Sequence, residues 1–178
     1  MQLDTHQKAV ATRVAISAVV TVSTLLLAIR FLPVNDGLVT TLAERLEVCL
    51  VSELLVVIWL FVCIGRVANL RFFSTQDRDG AGLTTASERA RVLQAILQNT
   101  LEQVVMTFII HLAWAILMPS AWLAAIPAGA VLFSVGRLLF MRGYSGGAPG
   151  RALGFALTYQ QAAIMYAVMV IYLLVDLF

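Results

Sequence analysis

Arg91, Gln94, Gln98 and Glu102 follow one another at intervals of three, four and four residues. On a helix turning 100° per residue they fall within about 80° of one another, a single polar stripe with Asn99 beside it. The stripe runs into an apolar stretch, where polar side chains are costly unless they face protein or a polar cavity. It is therefore a candidate binding wall, and hydrogen bonding between helices accounts for it equally well. A second group, Arg137, Arg142, Tyr144 and Arg151, flanks a glycine-rich break. Arginines near a membrane surface hold carboxylates or a thiolate, or simply anchor the basic side of the protein. Glu53 is expected to pair with a polar group of the third helix or to line the same cavity. His111 lies about 200° round the third helix from Arg91, off the stripe, and is expected to be a satisfied packing histidine. Gln160 and Gln161 read as interhelical glue.

The elements that must position these residues are membrane helices. Of the 178 residues, 61% are hydrophobic and 12% charged, against roughly 25% charged in a soluble domain. A bilayer core of about 30 Å needs about 20 apolar residues in a helix. Five stretches qualify: Val14 to about Val34, Leu46 to about Ala68, a third from near Glu88 to Met118, Ala121 to Met141, and Ala152 to Val175. Pro33, Asn35, Asp36 and Gly37 break the first, Pro119-Ser120 turns the third into the fourth, and Gly143 to Gly150 reads as the loop before the fifth. Pro127 falls inside the fourth helix, a place where membrane helices tolerate proline. Ala124, Ala125, Ala128 and Gly129 form overlapping small-xxx-small spacings that mark close helix packing. Cys49 and Cys63 share one helix about 21 Å apart and cannot form a disulfide within it.

The start of the chain reads as an uncleaved helix, since no small-x-small cleavage site follows it. The basic residues fall on one side of a five-span arrangement: Lys8 and Arg13, then Arg66, Arg71, Arg78, Arg89 and Arg91, then Arg137, Arg142 and Arg151. That bias places the N-terminus in the cytoplasm and the C-terminus outside, as in a multi-pass protein of a bacterial inner membrane. A net charge of +2 and the absence of aromatic–basic interleaving give no reason to expect a nucleic-acid partner. No metal-ligand spacing is present.

The same residues carry a resemblance. Gln98-Asn99-Thr100-Leu101-Glu102-Gln103 resembles the N-x-x-E signature of the MAPEG family, the membrane-associated proteins of eicosanoid and glutathione metabolism. Gly136 to Tyr144, followed seven residues later by Arg151, resembles that family's R-x-x-Y-x-x-G-Y…R signature. Arg66-Val67-Ala68-Asn69 is similar to the basic end of the family's first helix. The matched region runs from about residue 44 to the C-terminus. The resemblance implies an all-α integral membrane bundle: a MAPEG-like four-helix core over residues 44–178, with residues 1–43 contributing one extra N-terminal transmembrane helix. It implies a homotrimer that binds glutathione, or another small thiol in its place, near the cytoplasmic face.

By the same resemblance Asn99, Glu102, Arg137 and Tyr144 help hold the peptide, with Arg66, Arg91 and Gln98 as further binding candidates. Arg151 is the catalytic residue, stabilising the thiolate. A free thiol has a pKa of about 8.5, and an adjacent cation favours the thiolate that attacks electrophiles. A hydrophobic second substrate arrives from the membrane lipids. Two kinds of position depart from the family pattern. Val92 and Ala95 stand where it has arginines, and Phe140 stands where it has a tyrosine; Arg91, one turn before Ala95, is the candidate replacement. The functional expectation is a glutathione-dependent transferase or peroxidase acting on lipophilic electrophiles. The alternative is a non-catalytic membrane lipid-binding or scaffold protein of the same fold.

Overall fold

The computed structural model describes residues 4–32, 41–80 and 83–177, and the expected break at Pro33, Asn35, Asp36 and Gly37 lies outside them. Five α-helices account for the fold: α1 (Thr5–Phe31), α2 (Leu42–Phe73), α3 (Glu88–Leu117), α4 (Ala125–Gly143) and α5 (Gly147–Leu177). Local chemistry sets their starts. Asp4 and Gln7, and likewise Thr41 and Glu44, make reciprocal capping boxes, and the Ser87 hydroxyl accepts from the Ala90 amide at the head of α3. Four helical segments are long and apolar enough to cross a membrane, the last being Ser120–Asp176. That segment folds back on itself as the α4–α5 hairpin, and the 19 residues of α4 alone reach about 28 Å.

The hairpin is tighter than the expected loop. A single 3₁₀ turn at Tyr144–Gly146 joins the two helices, and α5 begins at Gly147. Gly147 has φ +68, a conformation natural to glycine, and Pro149 lies in the first turn of α5, where no amide hydrogen is needed. A Cβ on Gly143 would lie 2.2 Å from the Gly150 carbonyl oxygen, and one on Gly154 would lie 2.2 Å from the Phe140 nitrogen. The glycines therefore form the seam that lets α4 and α5 touch backbone to backbone. Pro127 is also displaced from its expected setting. Because α4 begins at Ala125, after a 3₁₀ turn at Ser120–Trp122, Pro127 sits in a first turn and breaks no helical hydrogen bond.

Helix α5 packs along both α4 and α1, and α2 packs along α3 and α4. Trp114, Met118, Leu123, Ile126 and Met165 form the main apolar core, with Leu25 of α1 joined to it. Ala124, Ala125 and Gly129 are buried, so the small-residue face of α4 is used inside the chain. Outward-facing Val19, Leu26, Phe61 and Ile171 leave a lipid-compatible surface. Arg45 crosses from α2 to the end of α3. It donates to the carbonyls of Ala115 (2.6 Å) and Met118 and to the Ser120 hydroxyl (3.1 Å). A cation there satisfies the free carbonyls at a helix C-terminus. Between α2 and α3, the buried Asp77 carboxylate accepts from the Ser74 hydroxyl and from both the amide and hydroxyl of Ser87, each at 2.8 Å. These bonds, led by the Ser87 amide, hold its carboxyl below the usual carboxylate range.

Candidate functional site

The hairpin delivers Tyr144 and Arg151 to the basic end of the bundle, and the middle of α3 delivers Asn99 to the same place. The three line one cleft of about 490 Å³. Its other walls are apolar: Ala95 of α3, Phe140 of α4, Ala148, Ala152 and Phe155 of α5, and Val10 and Val14 of α1. The Arg151 guanidinium lies 4.8 Å from the centre of the Tyr144 ring, and that ring meets Phe140 edge-on at 5.4 Å. Stacking on tyrosine fixes the arginine's plane while leaving its N–H groups free at the edges. Arg151 is half-buried, so an anion beside it would interact through a medium of lower dielectric than water.

Arg137 lies behind this cleft. It is completely buried and donates to Asn99 Oδ1 (2.9 Å), Thr100 Oγ1 (3.4 Å) and Thr158 Oγ1 (2.7 Å). Its guanidinium sits 4.4 Å above the Phe140 ring and 5.8 Å from Phe133. This gives a physical reason for phenylalanine at position 140, since the ring face supports the cation with no hydroxyl to accommodate. Among the described residues no carboxylate pairs with Arg137, and its Nε has no partner. By holding the oxygen of Asn99, Arg137 leaves the Asn99 amide NH₂ as the group available to the cleft.

The remaining candidates lie apart from the cleft. Gln98 donates to Glu102 at 2.9 Å, and both line a separate outward groove with Leu101, Val105 and Ile109. Arg66 and Arg91 are exposed, and neither lines the cleft in the single chain. The polar stripe of α3 is thus divided: Asn99 turns inward to Arg137, while Gln98 and Glu102 point away from the bundle.

A second polar cluster lies deeper and is closed. His111 Nδ1 is 2.5 Å from Glu53 Oε1, and His111 Nε2 is 3.0 Å from Gln161 Oε1. Gln161 Nε2 donates to Thr107 Oγ1 (2.8 Å) and to the Thr158 carbonyl (3.2 Å). The carbonyl can only accept, which orients the Gln161 amide with Oε1 toward His111, so the network assigns the hydrogen on that side to His111 Nε2. His111 Nδ1 faces the Glu53 carboxyl on the other side. The expected Glu53 partner on the third helix is therefore His111, and the histidine is a packed and satisfied one. Gly129 of α4 makes room for it, since a Cβ there would lie 2.8 Å from both Gln161 Oε1 and His111 Nε2.

Sequence reasoning did not find Val10, Val14, Ala148 and Phe155 as cleft residues. They carry no polar signal, and only the packing of α1 against α5 brings them together. The family model that matches the chain is that of the MAPEG family, over residues 49–172. No curated protein and no solved structure matches the chain. The matched span takes in the cleft residues of α3, α4 and α5, and α1 lies outside it.

Proposed function

The chain belongs to the MAPEG family and is an integral membrane protein, and from that premise we propose that its cleft binds a small thiol, glutathione first, and activates it toward lipophilic electrophiles. The observation that carries the reading is the convergence of Asn99 of α3 with Tyr144 and Arg151 of the α4–α5 hairpin on one cleft. Arg151 stabilises the thiolate as the thiol loses its proton. Asn99 and Tyr144 offer neutral hydrogen bonds to the carrier. In conjugation, the sulfur bonds to an electrophilic carbon and the leaving group departs with the bonding electrons. In hydroperoxide reduction, the sulfur takes the terminal hydroxyl, the alkoxide takes a proton, and a second thiol converts the resulting sulfenic acid to a disulfide and water. The apolar walls accept the lipophilic partner from the bilayer.

Assembly as a homotrimer, with the basic end in the cytoplasm, completes the proposal. Glu102 lies mid-way along α3 yet faces out of the single chain with Gln98. A carboxylate at that depth requires cover by protein, which a neighbouring copy supplies. The contrary reading, a lipid-binding protein without catalysis, is favoured by Ala95 and Phe140, which remove polar contacts from the cleft.

The test is a titration of purified full-length protein with glutathione while following thermal unfolding, because a ligand of the native state raises the midpoint. A rise is expected, together with thiolate absorbance that Arg151→Ala removes. The same substitution should change stability without ligand by no more than about 0.5 kcal/mol. No rise at millimolar glutathione would sink the thiol reading in favour of the lipid-binding one.

A further inference from the structure

The structure assigns α1 to the cleft: Val10 and Val14 form its lipid-side wall and are specificity-determining residues for the size of the lipophilic ligand. The assignment rests on the proposed chemistry only in naming that ligand as the electrophilic second substrate. Helix α1 lies outside the family match, and nothing in its sequence suggests a site, since the two residues are ordinary members of an apolar run. Their position is nevertheless built. Ser17, Thr21, Leu25 and Ala28 form a buried seam that runs down α1, and α1 lies along α5. Val10 and Val14 continue this seam toward the N-terminus at intervals of four and three residues, so they sit on the same face one and two turns beyond it.

Two polar ties hold that end in place. The Arg13 guanidinium donates to the Pro149 carbonyl in the first turn of α5, two residues before Arg151. Gln160 Nε2 donates to the Val14 carbonyl at 3.2 Å. The wall is thereby fastened to the helix that carries Arg151, at points before and after it in the chain. The same cleft is lined by Ala95, Ala148 and Ala152, none of which has a side chain long enough to fill the space. β-Branched valines have restricted rotamers and yield little, so they set the width of the apolar half of the cleft. Asn99, Tyr144 and Arg151 set the polar half.

The experiment uses the full-length protein in lipid nanodiscs with Val14→Ala, Val14→Trp and, as a control on the lipid face of α1, Val19→Trp. Val14 is 38% and Val19 67% exposed, so neither substitution overfills a core. The probes are glutathione with a short and a long branched 2-alkenal, to which the thiolate adds: sulfur bonds to the β-carbon, the C=C π electrons move to the α-carbon, and that carbon takes a proton. Val14→Trp should lower kcat/KM for the bulky alkenal relative to the short one by about tenfold, the scale on which an apolar pocket discriminates size. Val14→Ala should shift the ratio the other way. The Val19→Trp variant should keep both the wild-type ratio and the glutathione-dependent thermal stabilisation.

An unchanged ratio in both Val14 variants, or an equal change in Val19→Trp, would overturn the assignment while leaving the thiol reading intact. If the wild type shows no glutathione response, the thiol reading fails separately. The wall is then judged by binding of the saturated long branched aldehyde, which Val14→Trp should weaken about tenfold; equal binding to wild type and variant overturns it.

Discussion

Two polar clusters share helices α3 and α5, and they differ in how completely their hydrogen bonds are used. In the Glu53–His111–Gln161–Thr107 cluster the buried side chains bond to one another. In the Asn99–Tyr144–Arg151 cluster the side chains border a cleft of about 490 Å³ and keep donors free. The two are joined through Thr158, whose carbonyl accepts from Gln161 and whose hydroxyl accepts from Arg137, which in turn holds Asn99. The difference separates two uses of polar residues in an apolar setting. A closed cluster fixes the register of helices, because any slip leaves a buried group unpaired. An open one is a place for a ligand, and here the closed cluster holds the helices that frame the open one.

The comparison is broken most severely at Glu53. Glu53→Ala leaves His111 buried without its partner, and removing one member of a buried pair costs about 3–5 kcal/mol. Chemical unfolding in detergent should show that loss. The double variant Glu53→Leu with His111→Leu should recover much of it, whereas a cost below about 1 kcal/mol for Glu53→Ala would mean that the pair holds nothing in register.

Gly129→Ala is next, with an expected cost of about 1–3 kcal/mol for forcing a methyl against His111 and Gln161. Gly65 of α2 has open space at its Cβ position, and Gly65→Ala should instead stabilise by up to about 1 kcal/mol. Similar melting of the two variants would show that Gly129 is not a contact point.

The smallest effect belongs to a closed cluster outside the membrane. The Asp77 carboxyl lies below its ordinary value of 3.8, so its hydrogen bonds contribute fully above that pH and are lost as the pH falls through the lower folded value. The melting temperature should therefore decline below about pH 4, and Asp77→Asn should flatten that decline. An unchanged acid limb in the variant would show that Asp77 does not close the α2–α3 connection.

The helices were legible because hydrophobic length is a local property. Glu88 and Met118 bracket α3 in the sequence almost as they do in space. The off-stripe angle of His111 foretold its packed setting, and of the basic cluster at Arg137 to Arg151 the structure brings Tyr144 and Arg151 to the cleft. The split within the α3 stripe was not legible, because Asn99 and Glu102 are only about 60° apart on the helix and a neighbour's reach decides their fates. The tight hairpin was hidden as well: a run of glycines reads as a loop unless the second helix is known to lie against the first.

By itself, then, the sequence determined a membrane-spanning helical protein of this family and the ends of α3, while the other helices start four or more residues from where it put them. Only the tertiary structure decided which polar residues are closed off and which stay open, and that α1 is a wall of the cleft. The physical reason is one of range. Apolar length and capping are settled within a few residues, whereas the partners of His111 lie 58 and 50 residues away and the two valines face Arg151 only because α1 is packed along α5.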